Sequence, residues 1–228
     1  MRFLLALLLF THPAIAGPWV RPSDETYVFV GHEEGLSGWT SVYAERGGPR
    51  NLTFGLDTGG HVAAGMMGMV DPPLDGRIRT FVRIPVLSGD DQRAKRPDWV
   101  SPWLVAVEVG IGLDREGTGE TAVRYTAGLT VGRPLSTALG DGWTTFDLRG
   151  TAGGGKIRRL NAQYVVGVKP TDRLTLELGL FAEQETDISY AVAPTVQIGL
   201  GDLGAARFGV SLKDGGNTIL RVGWARIF

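Results

Sequence analysis

Three groups of residues in this chain have types and spacing that suit chemistry. The first is Gly150-Thr-Ala-Gly-Gly-Gly-Lys156-Ile157, which meets the G-x-x-x-x-G-K spacing of a phosphate-binding loop but carries Ile157 where such a loop has a metal-binding Ser or Thr. A phosphate loop joins a buried strand to a helix, whose first N–H groups hold the anion. Here Lys156 runs into Ile157-Arg-Arg-Leu-Asn-Ala-Gln-Tyr-Val-Val, which has the character of a strand, not a helix. The stretch therefore reads as a glycine hairpin loop, and nucleotide binding is set aside.

The second group is two histidines. His32 stands beside Glu33 and Glu34 with Ser37 near, and His61 follows Asp57 by four positions. Either could serve as the base of a Ser-His-acid lipid hydrolase. No local nucleophile signature accompanies them, and no ligand spacing argues for a metal, so they read as solvated loop residues. The chain has no cysteine, which excludes disulfides, thiolate metal sites and thiol nucleophiles. No cofactor is expected.

The third group is larger. Arg79, Arg83, Glu108, Arg124, Asp147, Arg149, Arg159, Glu177, Glu183, Arg207 and Arg221 all fall on the polar side of alternating segments. If those sides face one enclosed space, seven arginines meet four acids. Opposite charges would pair, because buried charges need partners. Such pairing would plug a narrow bore; the alternative is that the surplus guanidinium groups line a path for small anions. The packed, largely closed lumen is the reading favoured at this point.

What would position these charges is a set of strands. From about residue 25 onward the hydrophobic period is two. Twelve runs carry it: 25–32, 36–46, 50–58, 76–88, 101–113, 121–132, 143–150, 157–169, 172–184, 187–200, 204–213 and 217–228. Their apolar rows include Val105, Val107 and Val109; Leu174, Leu176, Leu178 and Leu180; Val192, Val196 and Ile198; Phe208 and Val210; and Leu220, Val222 and Trp224. Many runs exceed the roughly five or six residues of an ordinary strand. They match the roughly nine to eleven that a tilted strand needs to cross a bilayer. Turn chemistry separates them, as in Lys169-Pro-Thr-Asp172 and Asp214-Gly-Gly-Asn217.

A sandwich would bury the apolar rows, whereas a membrane barrel turns them toward lipid. Strand length favours the barrel: all-β, antiparallel, up-and-down, of about twelve strands, with ten to fourteen as the bounds. The start of the chain agrees with export. Arg2, the apolar run Phe3–Phe10 and the Ala14-Ile-Ala16 ending make a signal peptide over 1–16. The barrel then occupies 17–228. With both termini on the periplasmic side, Trp103, Trp143 and Trp224 fall at that rim as an aromatic girdle, and Trp39 at the other. Trp143 is out of phase with Phe146 and Leu148, which predicts a bulge in that strand.

The ending Thr218-Ile-Leu-Arg-Val-Gly-Trp-Ala-Arg-Ile-Phe228 resembles the C-terminal signature of Gram-negative outer-membrane barrels. That resemblance implies that Phe228 closes a signal read by the barrel-assembly machinery. Arg226 departs from the pattern, which has an apolar or aromatic residue there. The segments "GPWVRPSDETYVFVG", "SVYAERGGPRNLTFGLD" and "RVGWARIF" together resemble poorly characterised proteobacterial outer-membrane β-barrel proteins. The resemblance implies fold and outer-membrane location, with no established substrate. The expected partners are the lipid bilayer, the assembly machinery and a small solute. Nucleic acid is not among them, since 23 basic against 24 acidic residues leave no basic excess. The role expected is a narrow channel or transport-related barrel for small or apolar solutes. The alternatives are a structural or interaction barrel with a packed lumen, or a rim-sited lipid-modifying enzyme. The apolar loop 59–75, with Met66, Met67 and Met69, reads either as a cap or as a contact for an apolar ligand.

Overall fold

The structure is a computed structural model, and it describes residues 18–34, 38–61, 75–88, 102–115 and 120–228. The segment 1–16 expected to be a signal peptide, Ser37 and the three methionines of loop 59–75 lie outside the described residues. Among the described residues twelve strands form one barrel: β1 Thr26–Glu33, β2 Thr40–Gly47, β3 Thr53–Gly60, β4 Gly76–Leu87, β5 Leu104–Arg115, β6 Thr121–Thr137, β7 Gly140–Gly153, β8 Lys156–Thr171, β9 Leu174–Gln184, β10 Ile188–Gly199, β11 Ala205–Lys213 and β12 Thr218–Ile227. Each pairs antiparallel with its neighbours in sequence. β1 closes on β12 in the register Tyr27↔Ile227 through Glu33↔Arg221. Two further backbone bonds join Thr26 and Phe228 at the seam, at 3.0 and 2.8 Å. Full closure leaves no sheet edge, which a barrel in hydrocarbon requires.

The strand faces divide as alternation dictates. Val109 is 52 % exposed, Leu178 48 % and Phe208 50 %, all on the outer surface. The inner row holds the buried polar groups, with Glu45 at 2 % and Glu108 at 3 %. The molecule is apolar outside and charged inside. The remaining outer-row residues, Val105, Val107, Leu174, Leu176, Leu180, Val192, Val196, Ile198, Val210, Leu220, Val222 and Trp224, lie on that same outer side of their strands.

Strand lengths are uneven. β1 to β3 have eight residues each, whereas β6, β7 and β8 have 17, 14 and 16. β5 starts at Leu104 opposite Gly132, but β6 continues to Thr137 and pairs with β7 from Gly140. The β6–β7 hairpin therefore projects past β5, by about 16 Å at roughly 3.3 Å per residue. It does so at the end that carries Phe228 and the N-terminal segment, called here the terminal end.

Aromatic side chains in the inner row lie over glycines. A Cβ added to Gly55 would come within 1.9 Å of the Phe81 ring, and one added to Gly167 within 2.2 Å of Trp143. Rings of that size fit inside a narrow barrel by lying flat where the facing strand has no side chain.

Trp143 corrects the girdle reading. It is 4 % exposed and points inward. The inner row of β7 runs Trp143, Thr145, Asp147 and Arg149 in an unbroken register, so Phe146 and Leu148 face out without a bulge between. The register shift in this hairpin lies at Thr151/Ala152 instead. Trp39 lies at the opposite end from Phe228 but lines the interior, with Arg77 over its ring at 5.6 Å. Trp103 is 47 % exposed, and Trp224 donates to the Leu203 carbonyl at 2.7 Å; both sit at the terminal end.

The glycine stretch at 150–157 is a hairpin. β7 ends at Gly153, β8 begins at Lys156, and Gly154 and Gly155 turn the chain at φ +61° and +78°. Two successive positive φ values are the geometry of a tight primed turn, which glycine adopts without strain.

Candidate functional site

Alternation alone puts Arg79, Phe81 and Arg83 of β4 on the inner wall, with Glu108 of β5 opposite Arg83 in register. Glu108 is a hub. Its Oε1 accepts from Arg79 Nη1 at 2.7 Å and lies 3.2 Å from Arg149 Nη2; its Oε2 accepts from Arg83 Nη2 at 3.1 Å. Arg83 also donates to Glu45 Oε1 at 2.5 Å, and Glu45 Oε2 accepts from Arg21 Nη2 at 2.8 Å. The Tyr43 hydroxyl donates to Glu45 as well. At the other end of the series Arg79 Nη2 reaches Asp57 at 3.3 Å. The result is a continuous ladder of charge running from Asp57 through Arg79, Glu108, Arg83 and Glu45 to Arg21. The fork of an arginine can serve two carboxylates at once, which is how three acids hold four guanidinium groups together.

The ladder runs along the β2–β5 wall, from Asp57 and Arg79 in the half away from the terminal end to Arg21 in the terminal mouth. On the side away from the terminal end the interior is hollow, and Asp57 and Arg79 border that hollow. A cavity of about 520 Å³ is lined by Arg77, Arg79, Arg124, Arg149, Arg159, Lys213 and Arg221 against Asp57, Asp114, Asp147 and Glu183. A second hollow of about 330 Å³ shares Arg77, Phe181 and Arg221 with it and adds Glu177, Arg207 and Trp39. Pairs on this wall are more exposed. Arg207 bonds Glu177, Arg221 meets Glu33 at 2.9 Å, and Arg124 lies 3.5 Å from Asp114. Arg159 donates to Glu185 at 2.5 Å, Asn161 bonds Glu183, and Asp147 accepts from Thr130 at 2.5 Å and Gln163 at 2.8 Å. The Nε atoms of Arg77, Arg149 and Arg221 are buried without a hydrogen-bond partner.

Nine of the eleven charged residues singled out from sequence line these two hollows, and the other two, Arg83 and Glu108, belong to the ladder. Sequence reasoning missed Tyr43, Glu45, Asp57, Arg77 and Arg21. Tyr43 and Glu45 do alternate with Val42 and Ala44, a signal that identifies them as an inner row. Glu45 is easily mistaken for the start of the following turn.

A short segment completes the interior. Residues 18–24 fold into the terminal mouth. Pro18 is buried, and Arg21 is 7 % exposed, with its guanidinium 5.0 Å over the Tyr27 ring. The histidines are placed apart from one another's chemistry. His32 Nδ1 is 2.9 Å from Thr40 Oγ1, and His61 packs edge-on against Trp39 with Asp75 3.9 Å away.

No protein-family model matches this chain, and no curated protein matches it. Among solved structures it is similar to the KdgM porin, solved alone and in complex with disordered oligogalacturonate. Identity is 10 % and the TM-score 0.60, over 89 % of this chain and 99 % of that one, for both structures. At that identity the likeness is one of fold, the closed antiparallel barrel described above.

Proposed function

We propose that this chain is a narrow outer-membrane channel, with a wide basic vestibule and a constricted terminal half, that passes small anionic solutes. The observation that carries the reading is the cavity of about 520 Å³ inside the barrel, where seven basic side chains meet four acidic ones. A lumen wall with a cationic surplus raises the local concentration of anions and lowers the barrier to their passage. The likeness to a porin solved with oligogalacturonate, an acidic sugar chain, supports the same reading. The proposal includes export through the leader 1–16, contact of the outer apolar rows with lipid, and recognition of the strand ending at Phe228 by assembly machinery. It places the vestibule on the cell exterior and the terminal end in the periplasm.

A planar bilayer tests it. Purified protein should give discrete current steps, and a salt gradient should give a reversal potential of the sign that marks anion preference. Cation preference would overturn the reading. Silence would favour the second reading, a structural barrel with a closed lumen, for which the ladder crossing from Asp57 to Arg21 is the supporting observation.

A further inference from the structure

We propose that residues Pro18–Asp24 are a gate, a strap whose seating on Glu45 sets how far the terminal mouth is open; this rests on the channel reading above. The strap has a built seat. A Cβ on Gly47 would lie 1.9 Å from the Pro22 carbonyl oxygen, and one on Gly132 would lie 3.0 Å from Pro18 Cγ and 3.1 Å from the Trp19 ring. Both positions admit the strap because they have no side chain. Gly47 N donates to the Glu25 carbonyl at 3.1 Å, which fixes the root of the strap to β2. Arg21 is the latch, with Nε and Nη2 donating to Glu45 Oε2 at 3.1 and 2.8 Å.

Two features make the latch releasable. Glu45 keeps Arg83 at 2.5 Å and the Tyr43 hydroxyl when Arg21 leaves, so no buried carboxylate is stranded. Arg21 keeps an acidic neighbour too, since Glu25 already lies 4.0 Å from it. The strap is also loosely backed. Beside its contact with Gly132 of β6, a cavity of about 480 Å³ is lined by Trp19, Val20 and Pro22 of the strap together with Pro134, Leu135, Trp143 and Lys169 of β6–β8. Two arrangements of similar free energy are what a gate needs. Release widens the mouth and removes the Arg21 charge from its narrowest part.

Three forms of the full chain, expressed in a Gram-negative host and shown to be folded by heat-modifiable migration, test this: the parent, Arg21→Ala, and a deletion of residues 18–22. Both variants should raise single-channel conductance or open probability at least about twofold, the deletion more, because conduction scales with the constriction. The chain has no cysteine, so Pro18→Cys reports on the strap alone. A water-soluble maleimide should label Pro18→Cys at least about tenfold faster when Arg21→Ala is also present, as expected when an opening equilibrium shifts by about 1.4 kcal/mol. Equal labelling rates would overturn the latch whatever the currents show. Faster labelling with unchanged current through a conducting parent would overturn the gate and leave the channel standing. No current through any form would defeat the channel reading itself, and the gate with it.

Discussion

Glu108 shows how single residues set the interior. One carboxylate of 3 % exposure faces three guanidinium groups, those of Arg79, Arg83 and Arg149. Removing its charge leaves cations crowded in a poorly hydrated space, and breaking a buried pair from one side costs about 3–5 kcal/mol. Glu108→Gln should therefore lower the stability of the folded barrel by about that amount, read from the urea midpoint in phospholipid vesicles. Glu183→Gln should cost under about 1 kcal/mol, because that carboxylate lines the open cavity and is only partly buried. Equal losses at the two sites would show that the ladder is no better buried than the vestibule. At this scale the sequence was readable wherever a charge interrupted a long apolar alternation, as at Arg79 and Glu108. It was not readable for Glu45, Asp57 and Arg21. Glu45 borders Arg46-Gly-Gly-Pro49 and has the look of turn chemistry, Asp57 sits among glycines and threonines, and Arg21 lies in a segment without period.

Strands convert that pattern into faces, and the faces make separate predictions. In the β3–β4 pair, Phe81 stacks on Tyr43 at 5.8 Å, takes Arg79 at 4.8 Å over its ring, and covers Gly55. Gly55→Ala would push the ring out of that stack and should cost about 1–3 kcal/mol, as overpacking does. In a Phe81→Ala background the same substitution should cost almost nothing, so a double-mutant cycle should show strong coupling. Additive losses would mean that the ring does not occupy the glycine's space. On the outer face, Val109 stands midway along β5 and is 52 % exposed. Val109→Arg should destabilise the vesicle-embedded barrel by about 2–4 kcal/mol, whereas Asp202→Arg, in the turn before β11, should cost about 0–1 kcal/mol. A costless Val109→Arg would mean that the apolar row does not meet hydrocarbon. The strands themselves were legible because period two survives any packing partner. Trp143 was misplaced for the complementary reason: a tryptophan at a strand end suits either the membrane interface or a lumen with a glycine opposite. Only the pairing Trp143↔Gly167 decides between them.

Across the whole molecule the charges act together, through a field shaped by the low-dielectric wall around them. The twelve-strand closure followed from counting alternating runs, and the inside-out polarity followed from strand length. The infolded residues 18–24 were hidden, since a chain that packs by backbone against glycines leaves no hydrophobic rhythm. Their position matters here, because Arg21 is neutralised by Glu45 at the terminal mouth, which leaves the basic surplus on the cavity at the other end. If that surplus selects the solute, selectivity must fall as salt screens it. The Debye length is about 10 Å at 0.1 M and about 3 Å at 1 M salt. In dilute salt an ion on the channel axis feels arginines on every side, while in concentrated salt it feels only those it touches. The ratio of anion to cation permeability, from reversal potentials across a fixed salt gradient, should be at least about threefold at 0.1 M and approach one at 1 M. Arg77→Ala with Arg221→Ala, which removes the two cations shared by both hollows, should lower the 0.1 M ratio toward the 1 M value while conductance persists. A ratio that ignores both salt and these arginines would assign selectivity to the width of the bore, and the basic wall would then be a scaffold for the acids it binds.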